Sequence, residues 1–407
     1  MTPQVGRKIS LLVGLAFLIG FALPLSTALE NVATGLFLIA WLGTGEWYAR
    51  WLRLRENPAT YAIGALLLFA TIGMFWSLGD TKETLRYFQK YTALILALAL
   101  FTLPFDHRMR QKALLGFAIA TLVTAIISFA FKLQLIPASW LPGKSPTNPV
   151  VFKLHITQGF FVAIGAYILF VRALESRACR SKALFAIGAA ITAANVLVIE
   201  GRTGYVILAV LLVYLFVQRF RWRGVLASIV LLGVAVLIAQ QFPESAAMRR
   251  VATGVEEMRN WQLGQRDEYT SMGARLDFAA TSLRLISERP LLGAGTGGYA
   301  VSYKKAVPDG ALLTNNPHNQ YLLTAVQLGV PGLGLLLLLF IVLWRLTSRM
   351  PHNHCILARG FLLAYVVGNL FNSFLYDHSE SHFFAWAVGL IFCGAASSHA
   401  SQRTRNC

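Results

Sequence analysis

The chain has 407 residues, of which 56% are hydrophobic and 13% charged, with a mean hydropathy of +0.58. A soluble domain of this size carries about 25% charged residues, so the composition excludes an ordinary cytosolic enzyme, a disordered chain and a disulfide scaffold, and points to a polytopic helical membrane protein. Long apolar runs without alternation exclude a transmembrane β-barrel, and the net charge of +18 must be placed relative to the membrane before it is read as a nucleic-acid signal.

Twelve apolar runs are long enough for a bilayer core of about 30 Å: 9–27, 31–48, 59–79, 86–104, 113–134, 154–173, 183–199, 203–219, 224–242, 318–344, 356–376 and 382–399. Ser26 and Ala28 give the first run a cleavage-like end, but eleven further runs follow, so it reads as a retained helix rather than a signal peptide. Trp41, Trp47, Trp51, Trp76, Trp222 and Trp344 lie near predicted span ends, as an interfacial belt requires.

Alternate connections are basic. They hold Arg7 and Lys8, Arg50 to Arg55, Arg108 to Lys112, Arg172 to Lys182, Arg219 to Arg223, Arg345 to Arg359, and Arg403 with Arg405, together 20 of the 36 Lys and Arg residues. The positive-inside rule then assigns both termini and these connections to the cytoplasm. The excess charge is mainly a topology signal, and no nucleic-acid partner is expected. Cys179, Cys355, Cys393 and Cys407 all avoid the external loops, so neither a disulfide nor a zinc spacing is expected. The expected organisation is helices over 1–242, a large external loop over 243–316, and the last three helices with a cytoplasmic tail over 317–407.

The external loop carries nine basic and eight acidic residues, and loops of that length are usually functional. Leu276, Ala279 or Ala280, Leu283 and Ile286 recur at helical spacing and predict one apolar face, with Pro290 ending the helix. The run Gly293 to Gly298 fits G-x-G-x-x-G formally, but no strand precedes it. It reads as a tight turn that returns the loop to the membrane.

Several residues carry possible chemistry. In Asn315-Asn316-Pro317-His318-Asn319-Gln320-Tyr321, Asn315 or Asn316 can cap a helix whose first turn holds Pro317. His318 then sits at the positive end of the helix dipole, which keeps the imidazole neutral and able to take a proton, unless it is simply an interfacial capping residue. Arg202, in Glu200-Gly201-Arg202-Thr203-Gly204, is costly at the external edge of an apolar helix without an anionic partner. It either holds phosphate oxygens bidentately or pairs with Glu200. Arg275 heads the loop helix, but taken alone it is one loop arginine among several and reads as part of a solvated face; Arg289 directly precedes Pro290. Lys82, Arg86 and Lys90, four residues apart, share one helix face, where they attract a diphosphate or snorkel as anchors. Asp377 begins a segment with His378 and His382, whose i, i+4 spacing suits a metal. No third and fourth ligand is evident, and the segment reads better as a polar wall.

No Asp-x-Asp pair is present to hold a metal on a diphosphate, so cationic side chains would have to neutralise one directly. No Walker loop is present either, and ATP hydrolysis is not expected. Few acidic residues lie within the spans, which argues against a proton-coupled transporter.

Three stretches together resemble the O-antigen ligase and O-antigen polymerase superfamily of bacterial inner membranes: Gly201 to Gly204, Arg275-Leu276-Asp277-Phe278 through Arg289 to Gly295, and Asn316 to Tyr321 followed by Gly329. The topology, with one large loop before the span bearing His318, extends the resemblance over nearly the whole chain. It implies an all-α, GT-C-like glycosyltransferase with a periplasmic site and neither metal nor cofactor. A ligase of this kind moves O antigen from undecaprenyl diphosphate to lipid A–core oligosaccharide. On the family motifs His318 matches the catalytic histidine, and Arg202 and Arg275 match the essential arginines. Lys82, Arg86, Lys90, Arg289, Tyr321 and Asp377 are added as weaker candidates for the diphosphate. The same chemistry on another acceptor would make the protein an O-antigen polymerase. A polysaccharide or lipid flippase is the rival from a different class, but it should line a central cavity with charge rather than gather candidates on one membrane face.

Overall fold

The computed structural model describes residues 3–241, 246–263 and 270–394. The expected C-terminal tail, with Arg403, Arg405 and Cys407, and the loop residue Arg266 lie outside them. The described residues are almost entirely helical and contain no strand. The helices are α1 (Pro3–Ala22), α2 (Thr27–Gly43), α3 (Trp47–Glu56), α4 (Pro58–Ile72), α5 (Thr81–Tyr91), α6 (Leu94–Phe101), α7 (His107–Lys132), α8 (His155–Glu175), α9 (Cys179–Val198), α10 (Arg202–Phe220), α11 (Trp222–Gln240), α12 (Ala246–Gln262), α13 (Ser271–Glu288), α14 (Tyr299–Ala306), α15 (Gln320–Thr347), α16 (His352–Gly368) and α17 (His378–Phe392).

The chain is an all-α polytopic membrane protein. Five helices, α7, α8, α9, α10 and α15, are long and apolar enough to cross a membrane, or six if α2 and α3 count together. Shorter apolar helices cover Lys8–Ala22, Pro58–Ile72 and Trp222–Leu231. Each of the twelve runs expected from the sequence contains a helix, but several are interrupted. The run 86–104 splits between the charge-rich α5 and the apolar α6. The run 356–376 stops at Gly368, because the buried Asn369, Asn372 and Ser373 follow. The Asn369 carboxamide oxygen takes the Phe374 N–H at 3.3 Å, so a side chain replaces the helical carbonyl there.

The chain divides into two compact units. The first comprises Met1–Glu46, Pro104–Val251 and Met350–Ala364. Within it α8 packs on α7, α9 and α10. Glycines set the α8–α10 crossing: a Cβ on Gly204 would stand 3.1 Å from the Gly159 Cα, so the two backbones meet where only small residues fit. Lys153 is buried against Glu30, with Nζ 3.4 Å from the carboxylate and 2.7 Å from the Thr27 hydroxyl. Pairing is what makes such a buried charge tolerable.

The second unit comprises Trp47–Leu103, Ala252–Arg349 and the chain from Tyr365 onward. Here α15 packs on α4 and α13, and α17 on α6. Its core gathers Tyr87, Ala274, Phe278, Leu285, Tyr299, Tyr303, Leu323 and Val326.

Candidate functional site

The second unit builds a site around His318. The helix does not begin at Pro317, as the sequence suggests, but at Gln320. Its N-cap is Asn319, whose side chain accepts the Leu322 N–H at 3.0 Å. Asn316 does something else: its side-chain oxygen accepts the His318 N–H at 2.9 Å and the Ser373 hydroxyl at 2.6 Å. This holds His318 just ahead of the helix in a left-handed backbone conformation, φ +54, which costs a non-glycine residue of order 1–3 kcal/mol. Gln320 completes the brace, donating its N–H to Asn369 O at 2.9 Å and accepting the Leu375 N–H at 3.0 Å.

The imidazole is half-buried and stacks on Phe278. Burial pushes its pKa down, and the Arg275 guanidinium pushes it further, to about 4. The neutral ring expected from the helix dipole is therefore found, but desolvation and a neighbouring cation produce it.

α13 supplies both neighbours of that ring. Its N-cap is Thr270, and the helix runs on to Glu288, with Arg289 as C-cap and Pro290 just beyond. The buried face differs from the expected one. Ala274, Phe278, Ser282 and Leu285 face the core, while Leu283 is 59% exposed. The reason is tertiary: Phe278 meets the Tyr303 ring edge-on at 5.6 Å, and the Ser282 hydroxyl lies 3.2 Å from that of Tyr299.

On another side stands a tyrosine pair that sequence reading did not single out. The Tyr87 and Tyr376 ring centroids are 4.7 Å apart, and the Tyr87 hydroxyl donates to the Asn315 carbonyl in the His318 loop. Lys90 Nζ lies over the Tyr376 ring at 5.6 Å. Burial pushes the neighbouring Asp377 carboxyl up, Glu380 reinforces the shift and Lys90 opposes it. Lys90, Tyr376 and Asp377 are thus brought together. On the same helix as Lys90, Arg86 and Lys82 are exposed, and Arg86 pairs with Glu83 at 3.4 Å. The Tyr321 hydroxyl donates to Val366 O at 2.7 Å and braces α15. The His378 and His382 rings meet edge-to-face, with centroids 4.3 Å apart.

The glycine run is committed to the fold and cannot cradle a phosphate. The N–H of Ala294 goes to Val326 O at 2.7 Å, that of Thr296 to Gly73 O at 2.9 Å, and that of Gly297 to the Gln327 side chain at 3.0 Å. Gly293, at φ +65, lies so close to α15 that a Cβ would stand 2.6 Å from Val326 O. α15 itself breaks at Gly329, φ 66 and ψ −172, where Val330 gives its N–H to Pro290 O at 2.7 Å. The run therefore threads between helices and fixes the half of α15 that follows His318.

Arg202 belongs to the first unit. It opens α10 after Gly201. The carboxylate of Glu200 is taken by Arg250, with Nε at 3.1 Å, and its backbone N–H by Asn148 at 3.1 Å. The first unit also holds a polar cleft of about 610 Å³ lined by His107, Arg172 and His354. Arg172 is already forked between Glu175 at 2.9 Å and Gln111 at 3.2 Å, so little charge is left there for a ligand. In the second unit Arg289 stands apart from the His318 site. It lies fourteen residues beyond Arg275, about 21 Å along a helix axis, and lines a separate small cleft with Lys305.

Comparison with known proteins gives the following similarities. Residues 187–337, a stretch that includes Arg202, Arg275, His318 and Gly329, match the family model described as O-Antigen ligase. An uncharacterized protein of Haemophilus influenzae is 26% identical over 181 residues, covering 41% of this chain and 44% of that protein. The match therefore spans less than half of the relative's length. A chain from the structure described as "Structural coordination of polymerization and crosslinking by a peptidoglycan synthase complex" is similar at 18% identity, over 83% of this chain and 96% of that one, with a TM-score of 0.46.

Proposed function

We propose, from the membership in the O-antigen ligase/polymerase superfamily that the match over residues 187–337 supports, that this polytopic membrane protein is an O-antigen ligase. It transfers O antigen from undecaprenyl diphosphate to lipid A–core oligosaccharide at the periplasmic face of the bacterial inner membrane, with both termini in the cytoplasm. The observation that carries this reading is the His318 imidazole, braced by Asn316 and Phe278 and kept neutral beside the Arg275 guanidinium.

In this reading His318 takes the proton of the acceptor hydroxyl, whose oxygen attacks the anomeric carbon. The bond from that carbon to the diphosphate oxygen breaks, and its electron pair leaves with undecaprenyl diphosphate. A single displacement inverts the anomeric configuration. Arg275 and Arg202 hold the diphosphate and stabilise the charge that develops on it, without a metal. Bidentate guanidinium contacts suit phosphate oxygens for that task.

A base with a pKa near 4 is weak at neutral pH, since general-base catalysis works best with a pKa near the working pH. Burial causes most of that depression, and donor binding offsets the part due to Arg275. A diphosphate on Arg275 neutralises the cation that depresses the imidazole, and its own negative charge favours the imidazolium. The donor thus strengthens the base that uses it.

Reconstitution with lipid-linked O antigen tests the reading. Product on lipid A–core, unaffected by chelator, is expected. Elongation of a second lipid-linked glycan instead would make the protein a polymerase. Movement of the lipid-linked glycan across the bilayer without a new glycosidic bond would make it a flippase.

A further inference from the structure

The cleft at the far end of α13 has no part in the reading above. It measures about 220 Å³ and is lined by Glu288, Arg289, Ser302 and Lys305 over a floor that includes Leu285 and Val326. Arg289 caps α13 and Lys305 lies in the last turn of α14, where helix dipoles favour cations. Glu288 does not fit that explanation, because a carboxylate in the last turn of α13 faces the negative end of the dipole. Among the described residues none of these three charges forms an ion pair. Opposite charges share one small cleft and remain apart. Beside them the hydroxyl of Ser302, a residue 7% exposed, has no hydrogen-bond partner.

The surface next to the cleft is apolar. Leu291 is 70% exposed, Leu292 56% and Val330 53%. The Val330 N–H bond to Pro290 O at 2.7 Å draws Val330 to the Pro290–Leu292 segment. Contiguous exposed apolar side chains of this kind mark a contact with lipid or a partner.

We propose that the cleft binds the zwitterionic headgroup of a phospholipid. Arg289 and Lys305 hold its phosphate, Glu288 holds its amine, and the Ser302 hydroxyl donates to a phosphate oxygen. The acyl chains lie over Leu291, Leu292 and Val330. Separated charges of both signs match such a headgroup better than they match a purely anionic one, which Glu288 would repel. The proposal does not depend on the glycosyltransferase reading.

Native mass spectrometry of the full chain, delipidated and then offered phosphatidylethanolamine and phosphatidylglycerol, tests it. The wild type should retain one phosphatidylethanolamine about tenfold more strongly than phosphatidylglycerol, a difference of about 1.4 kcal/mol. Arg289→Gln with Lys305→Gln should lose that adduct, and Glu288→Gln should shift the preference toward phosphatidylglycerol. Equal retention of both lipids by the wild type would overturn the proposal, as would an undiminished adduct in the double variant. If the double variant does not fold, the wild-type Tm decides. Phosphatidylethanolamine should raise it more than either phosphatidylglycerol or inorganic phosphate, and an equal rise with inorganic phosphate would reduce the cleft to a plain anion site and overturn the proposal.

Discussion

The imidazole of His318 lies nearly parallel to the ring of Phe278, with centroids 6.3 Å apart and 25° between the planes. The Asn316 side chain holds the His318 backbone at 2.9 Å, so the ring is oriented from two independent directions. A smaller side chain at 278 should release one of them. Phe278→Leu, which keeps the site apolar, should fold and yet lower turnover about 10- to 100-fold, since a 1 Å misplacement of a reacting group can cost about 10² in rate. The readout is kcat at saturating donor. An unchanged kcat would show that Phe278 serves the core alone.

The two pH profiles should separate. The acid limb of kcat/KM reports the free enzyme and should fall near pH 4, where the buried imidazole beside Arg275 protonates. The acid limb of kcat reports the donor complex and should lie higher, because the diphosphate favours the imidazolium. Coincident limbs would contradict the coupling. The same shift bears on stability. An imidazole in the unfolded chain protonates around its ordinary 6.5 and the folded one only around 4, so the unfolded chain binds more protons in between. Stability contributed by the neutral ring is intact above pH 6.5 and drains away as pH falls toward 4. His318→Gln should therefore lose less Tm than the wild type between those limits.

Arg275→Lys should be poor despite keeping its charge, because an ammonium lacks the planar fork that binds two phosphate oxygens. We expect kcat/KM to fall about 10- to 100-fold, equivalent to about one charge-assisted hydrogen bond, and Arg202→Lys to behave alike. Near-wild-type activity in both would mean that bulk charge suffices.

Gly329→Ala tests the support of the site rather than its chemistry. Gly329 holds φ 66 and ψ −172, with Leu291 O pressed where a Cβ would go. That backbone region is essentially closed to other residues, and forcing it costs of order 1–3 kcal/mol. The variant should show a lower Tm and a lower kcat together, because the break links the Pro290–Gly298 segment to the helix that follows His318. A lower kcat at an unchanged Tm would argue against this.

The helical, membrane-spanning character was legible in the sequence because long apolar runs have few other solutions. The start of the His318 helix was not. Asn315, Asn316 and Asn319 are all acceptable caps, and the choice of Asn319 depends on Ser373 and Asn369 reaching the loop from another part of the chain. The buried face of α13 is hidden in the sequence for a related reason. The segment from Ala274 to Ile286 has apolar residues on two sides, and in a membrane protein Leu283 can stay exposed while Phe278, 5% exposed, finds Tyr303. The glycine run reads in the sequence only as a tight turn returning the loop to the membrane, because its partners, Gly73, Val326 and Gln327, are distant in sequence. His318, Arg275 and Lys90 were visible as candidates. The Tyr87–Tyr376 pair was not, because aromatic residues are too common in this chain to mark a site by themselves.

The most direct measurement is single-turnover transfer by the reconstituted protein, comparing wild type with His318→Ala at equal donor occupancy. Loss of a general base typically costs about 10²–10⁴ in rate, so we expect a fall of that size with donor binding and Tm retained. Transfer at the wild-type rate in His318→Ala would contradict the assignment of His318 as the base.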